Sequence, residues 1–193
     1  ILRIEDVTNT DNNNFIITAK DALGTFQKTQ ADIFRSPLVV ALPISTSNIV
    51  YNTANPYQKT TVSISLPNGR WAVSGTFLIK CLAPTTDNTN PTTYTTEATF
   101  ADTASSIIPS ADIEGNTKGS TSGNGIFKGV LSTPEKYNIQ TGIIILNNST
   151  LSSKTYYLIV KSLKNGNASN CNLVNYGASV EKENQLYALP LID

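Results

Sequence analysis

The chain has 193 residues, with 14 basic and 14 acidic side chains and no histidine. Hydrophobic residues make up 39% and charged residues only 15%, so a sizeable core can form while Asn, Thr and Ser must supply most of the polar surface. The balanced charge excludes a basic nucleic-acid footprint, and no apolar segment approaches the ~20 residues of a membrane-spanning helix. This composition favours an extracellular or virion-surface β protein over a cytosolic enzyme.

The N-terminal part of the chain differs from the rest. Short strands are predicted near residues 2–4, 15–19 and 25–29, separated by polar turns. A segment this small buries little surface by itself. Ser36-Pro37 marks a boundary, because the residue before a proline is pushed out of the helical region. We therefore predict a small β or extended segment over residues 1–36 and a main domain over residues 37–193.

Residues 60–82 are predicted to organise the core of the main domain. Residues 61–66 alternate hydroxyl with aliphatic side chains, the pattern of a half-buried strand. Pro67-Asn68-Gly69 then supplies turn chemistry. The following strand places six side chains on one face: Trp71, Val73, Gly75, Phe77, Ile79 and Cys81. We predict a β-hairpin here, with the only tryptophan at its centre.

Further strands follow, separated by turns rich in Gly, Asn and Pro, while helical periodicity is nowhere sustained. The run Ile143 to Leu146 is continuously apolar, which predicts that both of its faces are covered. The fold class predicted is all-β, a jelly-roll-like antiparallel β-sandwich with the small N-terminal segment. Its remaining strands lie near residues 38–42, 93–100, 126–131, 155–163 and 185–192.

Two groups of residues resemble known domains. The opening strand has the pattern G-x-W-x-V-x-G at Gly69, Trp71, Val73 and Gly75, and the closing strands contain Tyr157-Leu158 and Leu186-Tyr187-Ala188. These patterns resemble the jelly-roll heads of phage tail-fibre and other virion-surface proteins, and more distantly C1q/TNF-like trimeric domains. The segment DALGTFQK is similar to the shaft or collar that precedes such heads. The resemblance implies a homotrimer that mounts on other virion proteins and displays loops.

The sequence offers little reaction chemistry. The absence of histidine excludes Ser-His-Asp and Cys-His nucleophiles and His-based zinc sites, and no glycine-rich phosphate loop is present. A glycosidase needs only two carboxylates, and the candidates are Glu97, Asp102, Asp112 and Glu114. We interpret them as ordinary surface charges, and the polar loop that contains Asp87, Asn88 and Asn90 as a plain loop rather than a calcium site. No catalytic residue, metal or other cofactor is predicted.

Candidate binding residues are aromatic side chains with amide or hydroxyl neighbours, because flat rings stack on sugars and amides orient hydroxyls. The set is Tyr51, Asn52, Asn55, Tyr57 and Tyr94, and its ligand would be a host surface glycan. The alternative is that these tyrosines pack at strand ends or at a subunit contact. The two cysteines, Cys81 and Cys171, form either one disulfide between distant strands or two buried thiols.

The function predicted is that of a non-enzymatic structural and attachment protein at a virion surface or in another extracellular setting. Its partners would be copies of itself, other virion proteins and a host glycan, with no nucleic acid and no membrane insertion. One alternative is a bacterial surface adhesin or pilus-type subunit. Another is a carbohydrate-active hydrolase or lyase, which would require two carboxylates converging in a groove.

Overall fold

The structure is a computed structural model that describes residues 15–19, 26–30, 36–46, 48–50, 56–81, 92–115, 125–132, 135–166 and 172–191. The chain divides into two compact units, Ile1–Ser36 and Pro37–Leu191. In the first unit, strands β1 (Phe15–Ala19) and β2 (Phe26–Gln30) pair antiparallel, with Phe15 opposite Gln30 and Ala19 opposite Phe26. No described residue of either unit is helical, so none lies in a helix that could span a membrane.

The described strands of the second unit all pair antiparallel: β3 (Leu38–Val39), β4 (Gln58–Leu66), β5 (Gly69–Lys80), β6 (Thr93–Ala101), β7 (Phe127–Ser132), β8 (Tyr137–Asn148), β9 (Lys154–Asn165) and β10 (Gln185–Pro190). Their spatial order is β3-β10-β5-β8-β7-β6-β9-β4. The first strand of this unit pairs with the last, the second with the seventh, the third with the sixth and the fourth with the fifth. This is the pairing of a long hairpin rolled up on itself, the jelly roll, and it confirms the predicted fold class.

The ladder nearly breaks between β7 and β8, where the pairing is Lys128 opposite Thr141 alone. The order thus divides into a first sheet, β3-β10-β5-β8, and a second sheet, β7-β6-β9-β4. The fully buried side chain of Gln140 links the two: its Nε2 donates to Phe127 O (2.6 Å) and to Thr96 O (3.2 Å). The Tyr176 hydroxyl donates to Gln140 Oε1 at 2.6 Å, so both the nitrogen and the oxygen of the buried amide have hydrogen-bond partners.

Among the described residues one apolar core lies between the two sheets, and it is formed by the inward-facing side chains of their strands. Phe77 of the first sheet meets Phe127 of the second edge-on, with ring centroids 5.5 Å apart, and stacks on Tyr176 at 5.2 Å. Gly75 is required here, because a Cβ at this position would lie 2.7 Å from Phe77 Cε2 and 3.0 Å from Phe127 Cζ. The predicted inward face from Trp71 to Cys81 is confirmed.

The predicted hairpin at residues 60–82 is wrong, although both of its strands exist. β5 is flanked by β10 on one side and β8 on the other, so it has no free edge for β4, which pairs with β9 instead. The turn at Pro67-Asn68-Gly69 therefore carries the chain from the second sheet to the first. Trp71 Nε1 donates to Pro67 O (3.0 Å), and Gly69 takes a φ of 115°.

The prediction that both faces of the run Ile143 to Leu146 are covered is also wrong within the described chain. Ile144 and Leu146 are buried in the core, but Ile143 is 61% exposed and Ile145 is half-buried. Alternate side chains of a strand point to opposite sides. The outward isoleucines therefore lie on the outer side of the first sheet, where no described residue covers Ile143.

Candidate functional site

The predicted binding residues fall into three groups, each with a different outcome in the structure. Tyr51, Asn52 and Asn55 lie outside the described residues. Tyr94 is fully buried on β6, because its side chain points into the core, so its predicted role as an exposed ring was wrong. Tyr57 is half-buried, and the structure does not bring it together with Tyr94 at a common surface.

Tyr57 lies beside the charged outer surface of the second sheet. Lys161 Nζ is 5.1 Å from the centroid of its ring, a cation–π distance. Burial, and secondarily the nearby charge of Glu97, raise the pKa of Tyr57 to about 12. The ring therefore stays neutral at physiological pH and supports a packing role at this position.

Two of the four candidate carboxylates are occupied by cations. Glu97 lies between Lys128 and Lys161 in the register of β7, β6 and β9, with Lys161 Nζ 2.7 Å from Oε2 and Lys128 Nζ 3.8 Å from Oε1. Arg70 forms a bidentate salt bridge with Glu114, in which Nε donates to Oε1 and Nη2 donates to Oε2, both at 2.7 Å. Neither carboxylate is available as an unpaired acid or base.

The other two carboxylates share one ammonium group. Lys154 Nζ lies 2.6 Å from Asp112 Oδ2 and 2.9 Å from Asp102 Oδ1, and the Tyr156 hydroxyl donates to Asp112 Oδ2 at 2.7 Å. Burial acts to raise the pKa of Asp112, but the hydrogen bonds from Lys154 and Tyr156 outweigh it and hold that pKa below its usual value. Asp112 is therefore fixed as a carboxylate, which is the opposite of the protonated acid that a glycosidase requires.

A polar cleft of about 410 Å³ opens beside this cluster, and we name it the hydroxyl groove. Its walls come from the turn after β6 and the loop between β8 and β9, and β9 contributes the remaining side chains. The lining residues are Asp102, Thr103, Ala104, Thr150, Ser152, Ser153, Lys154, Thr155 and Tyr157. Five of these carry aliphatic hydroxyls and one carries a phenol, so the groove is rich in hydrogen-bonding groups.

The loop between β8 and β9 is fixed by two asparagine side chains. Asn148 Nδ2 donates to Leu66 O and Ser152 O, both at 2.9 Å, while its Oδ1 accepts from the backbone N–H and the hydroxyl of Thr150. Asn68 Nδ2 donates to Thr150 O at 2.6 Å. Asn148 is fully buried, so its amide is committed to holding this loop.

The outer side of the first sheet forms a second candidate surface, which we name the outer apolar face. Cross-strand neighbours in one row are Val39, Tyr187, Ser74 and Ile143, and in the next row Leu189, Ala72 and Ile145. Val39 is 84% exposed, Ile143 61% and Leu189 43%. An apolar group of this kind, displayed on one side of a sheet, marks an interaction surface.

Charges occur only at the two ends of this face within its four strands. Arg70 is paired with Glu114 at one end, and Lys80 Nζ lies 2.9 Å from Glu181 Oε1 at the other. The hydrogen bond from Lys80 holds the pKa of Glu181 below its usual value, so Glu181 is a carboxylate at neutral pH. The face thus has an apolar centre and a polar, internally neutralised rim, the anatomy of a protein interface.

Cys81 is buried and disulfide-bonded, which rules out the alternative of a free thiol at this position. The backbone of Cys81 forms an isolated bridge with Leu173. The only other cysteine of the sequence, Cys171, lies outside the described residues. No group of three or more Cys, Asp or Glu side chains suited to a metal ion occurs in the part of the chain that the structure describes.

Sequence reasoning missed both surfaces, though for different reasons. The run of four apolar residues at 143–146 was a usable signal for the outer apolar face, because one of its two sides had to lie away from the core. The hydroxyl groove had no such signal. Its walls lie more than 40 positions apart in the chain and meet only because β6 and β9 are neighbours.

No protein-family model matches the sequence, and no curated protein does. Two solved structures are similar to the chain. The structure of infectious bursal disease virus Gx strain has a TM-score of 0.36 at 7% identity, over 94% of this chain and 43% of that one. The crystal structure of the infectious bursal disease virus VP2 subviral particle has a TM-score of 0.25 at 11% identity, over 91% and 45%. The chain thus spans less than half of each, and the fold assignment rests on the strand order instead.

Proposed function

We propose that this chain is a non-enzymatic structural and attachment protein of a virion, whose jelly-roll unit assembles as a homotrimer. The observation that carries the proposal is the outer apolar face. It displays large exposed aliphatic side chains on β3, β10 and β8 and no charge between its two ends, although the chain as a whole is rich in polar residues. A face of this composition is stabilised when another surface excludes water from it.

A second copy of the chain is the occupant that fits this face. Copies of this face can meet around a symmetry axis without like-charge repulsion, because its four strands carry no charge between the two ends and the ion pairs at those ends are already neutralised within one chain. Association would cover Ile143 and Ile145 and so complete the two-sided burial that their apolar run predicts. Closed symmetric assembly is the usual result when one chain supplies both partners.

The threefold order and the virion setting rest on the resemblance of the opening and closing strands to trimeric virion-surface heads. Residues of the opening strand and of the last strand that carry the resemblance are neighbours in space: Gly75 lies opposite Leu186, and Val73 opposite Ala188. The same two strands, β5 and β10, supply outward residues to the outer apolar face. In this proposal the N-terminal unit mounts the head on another virion protein, and the location is the virion surface.

The ion pairing of the carboxylates supports a role without catalysis. Glu97, Asp102, Asp112 and Glu114 each contact a lysine or an arginine. A glycosidase of either stereochemical class needs one carboxylic acid that stays protonated until it protonates the leaving group. The contacts that hold Asp112 ionised act against that requirement.

Native mass spectrometry and light scattering of the full chain at micromolar concentration test the assembly. The expected result is three chain masses for the wild type. Ile143→Glu places a charge on the outer apolar face, between its two charged ends and opposite Ser74, and is expected to give one chain mass without loss of fold. The matched control is Thr95→Glu on the outward side of the second sheet, which is expected to remain trimeric. A folded wild-type monomer at these concentrations would contradict the proposal.

A further inference from the structure

We propose that the hydroxyl groove binds a neutral saccharide. The groove lies on the side of β9 and the 102–104 turn, whereas the outer apolar face lies on the first sheet. Assembly through that face leaves the groove open, so the inference does not depend on the proposed homotrimer. It extends the proposed function by assigning a ligand class to a site that the sequence did not indicate.

The groove presents donors and acceptors that the described chain leaves unused. The hydroxyls of Ser152, Ser153 and Tyr157 make no hydrogen bond to any described residue, and Asp102 uses Oδ1 alone for Ser110 and Lys154. Asp102 Oδ2 is therefore an unused hydrogen-bond acceptor, and the contacts that Oδ1 makes fix its position. A polyol supplies vicinal hydroxyls that both donate and accept, which matches this mixture of groups.

Hydrogen bonds and an ion pair fix the two walls of the groove that carry these unused groups. Asp102 is fixed by the Ser110 hydroxyl at 2.5 Å and by Lys154 at 2.9 Å, while the opposite wall is fixed by the buried side chain of Asn148. A preformed wall loses little conformational entropy when a ligand binds. This matters for a saccharide, because its hydrogen bonds replace equally good bonds to water.

The lining of the groove contains one aromatic side chain. The charge around the groove favours some classes of saccharide over others. Tyr157 is half-buried and offers a phenol ring against which the C–H groups of a sugar ring can pack. Lys154 is shared between Asp102 and Asp112, so two carboxylates face one ammonium group. The excess of negative charge disfavours sialylated or sulfated saccharides and favours neutral ones.

Saturation-transfer difference NMR on the full chain tests the inference with lactose, chitobiose and mannobiose as neutral probes and 3′-sialyllactose as the anionic comparator, each at millimolar concentration. At least one neutral probe is expected to bind more tightly than 3′-sialyllactose. Tyr157→Phe removes the phenol hydroxyl and keeps the ring, and the double variant Ser152→Ala with Ser153→Ala removes both serine hydroxyls. We expect the double variant to weaken binding about tenfold in Kd and Tyr157→Phe about threefold.

The matched control is Tyr137→Phe, a tyrosine 66% exposed on β8 of the other sheet, which is expected to leave Kd unchanged. Three results would overturn the inference: no binding of any neutral probe, tighter binding of 3′-sialyllactose, or equal losses in the Tyr137 and Tyr157 variants. Repeating the titration on Ile143→Glu separates the two proposals, because the groove is expected to bind equally well in a monomer.

Discussion

The two outer sides of this sandwich are built on the same alternation of strands but differ in chemistry. The outer side of the first sheet shows Val39, Ile143 and Leu189 with no charge at its centre. The corresponding rows of the second sheet show the ion-paired series Lys128, Glu97 and Lys161, and beside it Thr95 with the apolar neighbours Val130 and Leu163. The inward residues of both sheets specify one common core, so the outward residues of the two sheets are free to differ. In the proposed assembly the first sheet meets another chain and the second sheet meets solvent.

The largest effect is expected from the interior that both sides share. Gly75→Val would place side-chain atoms against Phe77 and Phe127, where a Cβ already lies 2.7 and 3.0 Å from ring carbons. We expect a loss of about 3 kcal/mol in the free energy of unfolding, measured by urea denaturation. Ser74→Val, one position away and outward, is the control and is expected to change stability by less than about 0.5 kcal/mol. Equal losses in both variants would show that the inward and outward assignments of β5 are wrong.

A second effect tests the charged row of the second sheet. Glu97→Gln removes the carboxylate that lies between Lys128 and Lys161 and leaves both ammonium groups without that partner. Glu97 and Lys161 are largely buried side chains, so we expect a loss of about 1–2 kcal/mol in unfolding free energy. Glu135→Gln at an exposed position is the control, with little change expected. An unchanged stability for Glu97→Gln would mean that this row is solvated and does not hold the face together.

A third effect concerns Asp112, whose segment joins the two sheets: Asn147 N of β8 donates to Asp112 O, and Lys154 of β9 contacts its carboxylate. The folded-state pKa of Asp112 is below its ordinary value of 3.8. The unfolded chain therefore binds more protons near that pH, so this contribution to stability is present above pH 3.8 and is lost as the pH falls below it. We expect Asp112→Asn to be less stable than the wild type at neutral pH and to lose less stability on acidification.

Thermal unfolding between neutral pH and pH 2–3 measures the acid dependence of both proteins. Glu135→Gln, which removes an exposed carboxylate, is expected to follow the wild-type curve. Parallel curves for wild type and Asp112→Asn would show that this carboxylate is not coupled to folding.

The smallest effect is a difference in salt response between the two sides. Raising the salt from low concentration to about 1 M screens the ion pairs of the second sheet and is expected to lower their contribution by about 0.5 kcal/mol or less. Association through the outer apolar face should persist or strengthen, because its centre contains no charge. Dissociation of the assembly at high salt, followed by light scattering, would place charged contacts in the interface instead.

Much of the fold was predictable because it depends on local alternation. The pattern from Val62 to Leu66 and from Trp71 to Cys81 predicted two strands and the side of each that is buried, and both assignments are confirmed. The all-β class followed from many such strands separated by turns. Tyr94 shows the limit of this reasoning, because the threonines around it do not reveal which side of β6 points inward.

The sequence by itself determined which segments extend and, in β4 and β5, which of their residues are buried, since a period of two is a property of neighbouring residues. Only the tertiary structure decided which strands pair, because pairing depends on which edges the rest of the chain has already occupied. Because the edges of β5 are occupied by β8 and β10, β4 pairs with β9 and not with β5. The same strand order lets Gln140 of β8 bind Phe127 of β7, and it places Asp102 and Ser152 in one groove. Neither the groove nor the outer apolar face exists until those edges are assigned.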